Sequence, residues 1–275
     1  MTCSQILNTQ SGLKWRQLPD THWWYGLRPA QRANAPVLLL VHGSDRDVEG
    51  MAAPFLEGND LNVIAPLFPK DVERQDTADD YKFLSESSTD YVALLDAIRG
   101  DAQRFLNVPS TDSYLFGFSG GAQFAHRYAL FRAETLCGLI VGAPGAVTLL
   151  RPDIQWWPGL AGAEQATGYP PQLAALKRLQ ISILVGNDDL SQGLVDRPAG
   201  SRFGSAQSGM AGATRLARCQ SLAEDLAQNG CDVSFTVLPD VGHQLAPCAK
   251  AAAYDLRGWL NKKQASLSSI PNRSH

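Results

Sequence analysis

Residues 113–121, Ser113-Tyr114-Leu115-Phe116-Gly117-Phe118-Ser119-Gly120-Gly121, decide the fold. An apolar run of strand length ends in Gly-x-Ser-x-Gly, and residues 120–131 read as a helix, so Ser119 sits on a strand-to-helix turn, a nucleophile elbow. Such a turn strains the serine backbone, and glycines at Gly117 and Gly121 avoid the clashes that side chains would make there. It lifts the hydroxyl off the sheet edge beside the first amides of a helix, where the positive dipole end favours a developing oxyanion. A glycine-rich connection without chemistry is the plainer alternative, and the strand–turn–helix setting speaks against it.

Outward from this turn, strand-length apolar runs recur at residues 37–41, 62–66, 136–141, 181–185 and 233–238. With 113–118 they make six candidate parallel strands, and their near-continuous apolar content is that of strands buried on both faces. Helical stretches fall between them at 48–55, 88–105, 120–131, 212–229 and 247–260. In the second, Tyr91, Leu94, Leu95, Ile98 and Phe105 share a face behind the capping candidates Ser87, Ser88 and Thr89. This alternation predicts an α/β protein, a mostly parallel sheet with helices on both faces. Residues 12–17 and 21–27, joined through Pro19-Asp20, read as a hairpin lying antiparallel at the sheet edge.

Residues 1–263 are expected to form one catalytic domain. Residues 144–179, rich in Pro, Gly and Trp, are too long for a simple loop and suggest a cap-like insert. Residues 190–211 form a second insert, and 264–275 are expected to be a disordered tail.

Composition bounds the function. The 275 residues are 44% hydrophobic and 19% charged, with a formal net charge of −3. A chain of this size removes about 70–75% of its unfolded surface on folding, enough for one large core without staples. The mild acid excess leaves no basic stripe for nucleic acid. The longest apolar runs, at 36–41 and 136–141, are far short of the roughly 20 residues that span a bilayer. The N-terminus shows no basic start followed by an apolar stretch, so no secretory signal is read and a cytoplasmic location is expected. Five cysteines, Cys3, Cys137, Cys219, Cys231 and Cys248, are odd in number and lack Cys-x-x-Cys spacing. Neither a disulfide framework nor a zinc site is expected; a single bridge among Cys219, Cys231 and Cys248 is what export would permit. No His-Glu-x-x-His or similar ligand spacing occurs, so no metal and no cofactor are expected.

A serine hydroxyl is a weak nucleophile that needs a base, and the base needs an orienting group. His243 follows the 233–238 strand in Asp240-Val-Gly-His243 and can return to the serine over the same sheet edge. The remaining histidines are placed otherwise: His275 in the tail, His22 on an edge strand, His126 in the helix after Ser119 and His42 in a turn. The acid should end the preceding strand, and Val185-Gly-Asn-Asp188-Asp189 does so. Asp189 is favoured, with Asp188 as the alternative. The order Ser, Asp, His differs from that of the chymotrypsin and subtilisin types.

On these residues the chain resembles the α/β-hydrolase superfamily, from the hairpin to residue 260. Val41-His42-Gly43-Ser44 is similar to that superfamily's His-Gly-x turn, which implies Ser44 and Gly120 N–H groups as the oxyanion hole and a structural role for His42. A His-Gly-Gly-Gly form is lacking, which sets the chain apart from hormone-sensitive-lipase-like esterases. The runs 42–47 and 120–124 are more similar to small esterases of the polyhydroxyalkanoate-depolymerase and dienelactone-hydrolase kind.

The resemblance implies a monomeric or homodimeric serine hydrolase that needs no cofactor and cleaves a small or medium-sized carboxylic ester, lactone or thioester through an acyl-enzyme. Lyases, acyltransferases and carbon–carbon bond hydrolases share the fold and stay open as alternatives. So does a catalytically silent ligand-binding member, although no triad residue is missing here. Dehalogenases and epoxide hydrolases need a carboxylate at the elbow. Trp156 and Trp157 either wall the site over Ser119 or anchor the insert to the body. Asp45, with Arg46 and Asp47, lies either at the site rim or in a solvated charge run, and Tyr81 with residues 76–80 reads as a solvated loop.

Overall fold

The protein is described here by a computed structural model of residues 12–86, 89–108, 113–191 and 197–268. Eight strands form one sheet: β1 (Lys14–Gln17), β2 (Trp24–Arg28), β3 (Val37–Val41), β4 (Asn62–Leu67), β5 (Ser113–Phe118), β6 (Gly138–Gly142), β7 (Gln180–Gly186) and β8 (Asp232–Leu238). Their order across the sheet is β1-β2-β4-β3-β5-β6-β7-β8. The β1–β2 and β2–β4 pairs are antiparallel and all others parallel, so the hairpin edges the sheet as its sequence implies. Every residue of β3, β5 and β6 is buried, which accounts for their unbroken apolar character.

Register places the chemistry. Val41 pairs with Gly117, Gly142 with Phe118, and Gly186 with Leu238, so these strands end along one edge. The connections holding His42, Ser119, Asp189 and His243 therefore all leave from that edge, where ligands bind in parallel sheets.

Helix α1 (Val48–Leu56) packs on α7 (Leu245–Ser268), while α3 (Gly120–Arg132) packs on β3, β5 and β6. Helix α2 (Tyr91–Leu106) starts where the Asp90 carboxylate accepts the Val92 and Ala93 N–H groups, both at 2.9 Å. Of the predicted caps, Ser87 and Ser88 lie outside the described residues and Thr89 precedes Asp90 in a short strand pair. Phe105 is exposed rather than core, and the Arg16 guanidinium lies 4.5 Å from its ring centroid. Residues 144–179 hold two short helices, α4 (Ala163–Thr167) and α5 (Leu173–Leu176), and α6 (Arg215–Gln228) follows.

The expected loose tail is partly helical, since α7 continues to Ser268. Asn261, Lys262, Lys263, Gln264 and Ala265 extend an existing helix, which needs no new nucleus, and polarity alone does not end it. Residues 269–275, with His275, lie outside the described residues, as does Cys3. Cys219, Cys231 and Cys248 are free thiols, so the bridge that export would permit is not formed among them. Among the described residues no helix is long and apolar enough to cross a membrane.

Candidate active site

Ser119 joins β5 to α3 with φ 55° and ψ −111°, a conformation rarely adopted by a residue with a side chain. The close approach explains the glycines around it. A β-carbon on Gly117 would overlap the Gly121 carbonyl, and one on Gly121 would overlap the Val41 carbonyl oxygen. Ser119 is the N-cap of α3, yet its hydroxyl makes no capping bond. It lies instead 2.9 Å from His243 Nε2.

His243 stands in the loop between β8 and α7, and its Nδ1 lies 2.7 Å from Asp189 Oδ2. An Nδ1–H donated to that carboxylate leaves the Nε2 lone pair to accept the serine proton. The Phe118 ring stacks on the imidazole at 5.0 Å. Asp189 is buried (1% exposed), whereas Asp188 is exposed and donates its backbone N–H to Val241. Of the two aspartates, Asp189 is thus the one that meets the imidazole. Its other oxygen, Oδ1, accepts a hydrogen bond from Arg215 Nη1 at 3.2 Å.

Gly120 is the first residue of α3, so its N–H has no acceptor within the helix. Gly43 brings the preceding loop against the elbow, where a β-carbon would lie 3.5 Å from Ser119 Cβ, and Ser44 follows it. His42 is buried beneath: its Nδ1 lies 2.7 Å from the Gly43 carbonyl oxygen and its Nε2 accepts the Phe68 N–H at 2.9 Å. Burial pushes the ring's pKa down to about 4, so it stays neutral and structural. His126 is built the same way, between the Ala122 carbonyl and the Thr148 N–H, with burial pushing it down to about 3. His22 precedes β2 and lies against Trp23.

Two sequence expectations are corrected. Tyr81 and its acidic approach are not a solvated loop: Asp80, Tyr81 and Lys82 are buried, and the Tyr81 hydroxyl donates to the His42 carbonyl at 3.2 Å. Arg202 pairs with Asp80 at 2.7 Å, and Asp79 pairs with Lys82 three residues on and with the distant Arg197 at 2.7 Å. Burial raises the Asp79 pKa, but the two cations outweigh it and hold the carboxyl below its usual range. Burial lowers that of Lys82, and Asp79 offsets it only in part.

Trp156 and Trp157, for their part, do not line the cavity at Ser119. Trp157 packs on Phe83 and Ala146 and donates Nε1–H to Phe203 at 2.8 Å; Trp156 packs edge-on against Phe131. They anchor the 144–179 segment. Arg127 of α3 joins in, fully buried, bonding Thr148 Oγ1 at 2.9 Å and the Lys82 and Ala146 carbonyls. Its guanidinium lies 4.7 Å from the Phe83 ring and 5.0 Å from that of Trp157.

The cavity over Ser119, about 320 Å³, is bounded by Ser44, Asp45, Lys82, Gln123, Arg197 and Arg215. Asp45 is therefore a rim residue, while Asp47 caps α1 through Gly50 N–H and Arg46 turns inward to the Ser44, Phe68, Pro69 and Ala78 carbonyls. Sequence reasoning missed Asp79, Lys82, Gln123, Arg197 and Arg215. Gln123, one helical turn beyond Ser119, alone carried a signal. Among the described residues no cluster of three or more His, Cys, Asp or Glu side chains could hold a metal ion.

No protein-family model matches the chain, and no curated protein matches it in sequence. In three dimensions it is similar to the poly(3-hydroxybutyrate) depolymerase LpqC from Bordetella parapertussis, with 20% identity, 88% of this chain and 87% of that one covered, and a TM-score of 0.67. It is also similar to poly(aspartic acid) hydrolase-1 from Sphingomonas sp. KT-1 (16% identity, 84% and 92% covered, TM-score 0.67). A third likeness is to an S-formylglutathione hydrolase from Agrobacterium tumefaciens (15% identity, 92% and 96% covered, TM-score 0.56). Strand order, elbow turn and these likenesses agree, and the chain has the α/β-hydrolase fold.

Proposed function

We propose that the protein is a serine hydrolase of carboxylic esters, lactones or thioesters, acting on a small or medium-sized molecule through an acyl-enzyme on Ser119. The observation that carries this reading is the unbroken hydrogen-bonded line from Asp189 through His243 to Ser119. Ser119 Oγ attacks the carbonyl carbon while His243 Nε2 takes its proton, and Asp189 holds the imidazole in the required tautomer. The Ser44 and Gly120 N–H groups receive the oxyanion, each such donor contributing about 2.7–4 kcal/mol to the transition state. As the tetrahedral intermediate collapses, His243 returns the proton to the leaving alcohol or thiol. Water, deprotonated by the same nitrogen, then releases the acid and restores Ser119. Solved structures of the same fold that are named as a poly(3-hydroxybutyrate) depolymerase and an S-formylglutathione hydrolase support the reaction class.

A fluorophosphonate probe should label Ser119, and Ser119→Ala should lower p-nitrophenyl acetate turnover by about 10⁴-fold or more with an unchanged thermal melt. Undiminished turnover in that variant removes Ser119 as the nucleophile.

A further inference from the structure

Ligand cavities of this size are ordinarily apolar with a few polar groups, but the one over Ser119 is lined by Lys82, Arg197 and Arg215 against Asp45 and Asp79. Asp79 serves two cations at once, Lys82 Nζ on Oδ1 and Arg197 Nη2 on Oδ2. One carboxylate neutralises only one of them, which leaves this wall positive. Lys82 Cε lies 2.7 Å from where a β-carbon on Gly120 would stand, so the lysine crosses the first turn of α3 beside the nucleophile.

A second, independent observation lies on the other wall. Arg215 is 7% exposed and bonds Asp189 through Nη1, but among the described residues its buried Nε has no hydrogen-bond partner; nor has Oε1 of Gln123, which is 5% exposed. Buried polar atoms are ordinarily paired. Arg215 itself lines the cavity, so its guanidinium is a further donor on that wall.

We propose that the substrate of the Ser119 site carries a carboxylate, held by Lys82 and Arg197 with Arg215 as a further donor, while its ester carbonyl lies over the serine. The class is a half-ester of a small dicarboxylic acid, or an ester with a free carboxylate at a similar distance. This rests on the serine-hydrolase reading. A planar guanidinium and an ammonium suit a carboxylate, and such charge-assisted bonds are the strong ones. A neutral ester leaves the two cations that share Asp79 with one carboxylate between them, so discrimination arises from both sides.

The test compares mono-(p-nitrophenyl) glutarate with its methyl ester. The wild type should favour the acid by about tenfold or more in kcat/KM, mostly through KM, and the preference should shrink with salt. Lys82→Met and Arg197→Gln should each collapse that ratio toward one, and Arg197→Lys should restore part of it. Fluorophosphonate labelling of Ser119 and the thermal melt report that each variant is folded. A wild type that labels yet shows no preference overturns the proposal, as does a ratio intact in both variants. If Ser119 neither labels nor turns over, the hydrolase reading fails separately, and calorimetric titration with glutarate decides. Saturable binding weakened in Arg197→Gln supports the anion site, and absence of binding overturns it.

Discussion

Arg215 Nη1 lies 3.2 Å from Asp189 Oδ1, leaving Oδ2 to His243. Both side chains are buried, so this ion pair braces the carboxylate from the side opposite the imidazole. Removing one member of a buried pair leaves an uncompensated charge and typically costs about 3–5 kcal/mol. Arg215→Met should lower both the melting temperature and kcat for p-nitrophenyl acetate, with Arg215→Lys intermediate. A variant with wild-type melt and turnover would show the pair to be idle.

The two neighbouring aspartates should part company. Asp189→Asn should lower kcat by about 10⁴-fold, because the amide no longer holds the required imidazole tautomer. Asp188, exposed and engaged through its backbone, should tolerate the same change with turnover within about twofold of wild type, as surface substitutions usually do. Steady-state rates of the two variants settle which carboxylate matters.

Gly120 tolerates no side chain for a reason outside its own backbone. A β-carbon there meets the Tyr81 hydroxyl and Lys82 Cε. Gly120→Ala should cost about 1–3 kcal/mol by overpacking and lower kcat, since the displaced wall bears on the proposed oxyanion donor. Adding Tyr81→Phe removes the clashing oxygen and should recover part of both losses, read by melting and by turnover. No recovery would place the strain elsewhere.

Stability should fall as the solution is acidified from neutral pH, before the carboxylates titrate. His42 and His126 are held neutral with folded pKa values of about 4 and about 3, below the ordinary 6.5. Their contribution is complete above the unfolded value and is lost as the pH drops from 6.5 toward those folded values. Two such groups give a slope of about 2.7 kcal/mol per pH unit near pH 5. Denaturant unfolding between about pH 7 and pH 5 measures it. His126→Gln, which keeps an acceptor for Thr148 N–H, should roughly halve the slope; a flat profile in the wild type contradicts the assignment.

The central sheet was legible because strands buried on both faces spell themselves as unbroken apolar runs, and Gly117 and Gly121 marked the turn at Ser119 because only glycine fits those contacts. The wall opposite was not. Asp79, Asp80 and Lys82 look like surface charge, yet Asp80 and Lys82 are buried, and Arg197 and Arg202, far along the chain, fold back to pair with Asp79 and Asp80. Trp156 and Trp157 suit a substrate wall and an anchor equally well, and only their contacts with Phe131, Phe83 and Phe203 tell the two apart.

Ser119, Gln123 and Arg127 fall at intervals of four residues, so the proposed nucleophile, the cavity amide and the buried guanidinium ride one stripe running from the N-cap along α3. The Arg127 backbone stands about 12 Å along the axis from Ser119 at 1.5 Å per residue, and its guanidinium reaches the Lys82 carbonyl. The helix thus acts as a ruler, bearing on the span between the Ser119 hydroxyl and the backbone that carries the Lys82 ammonium. With the proposed carboxylate contact at Lys82, a substrate one methylene longer or shorter should meet the same gauge, so that chain-length selectivity becomes a property of two helical turns.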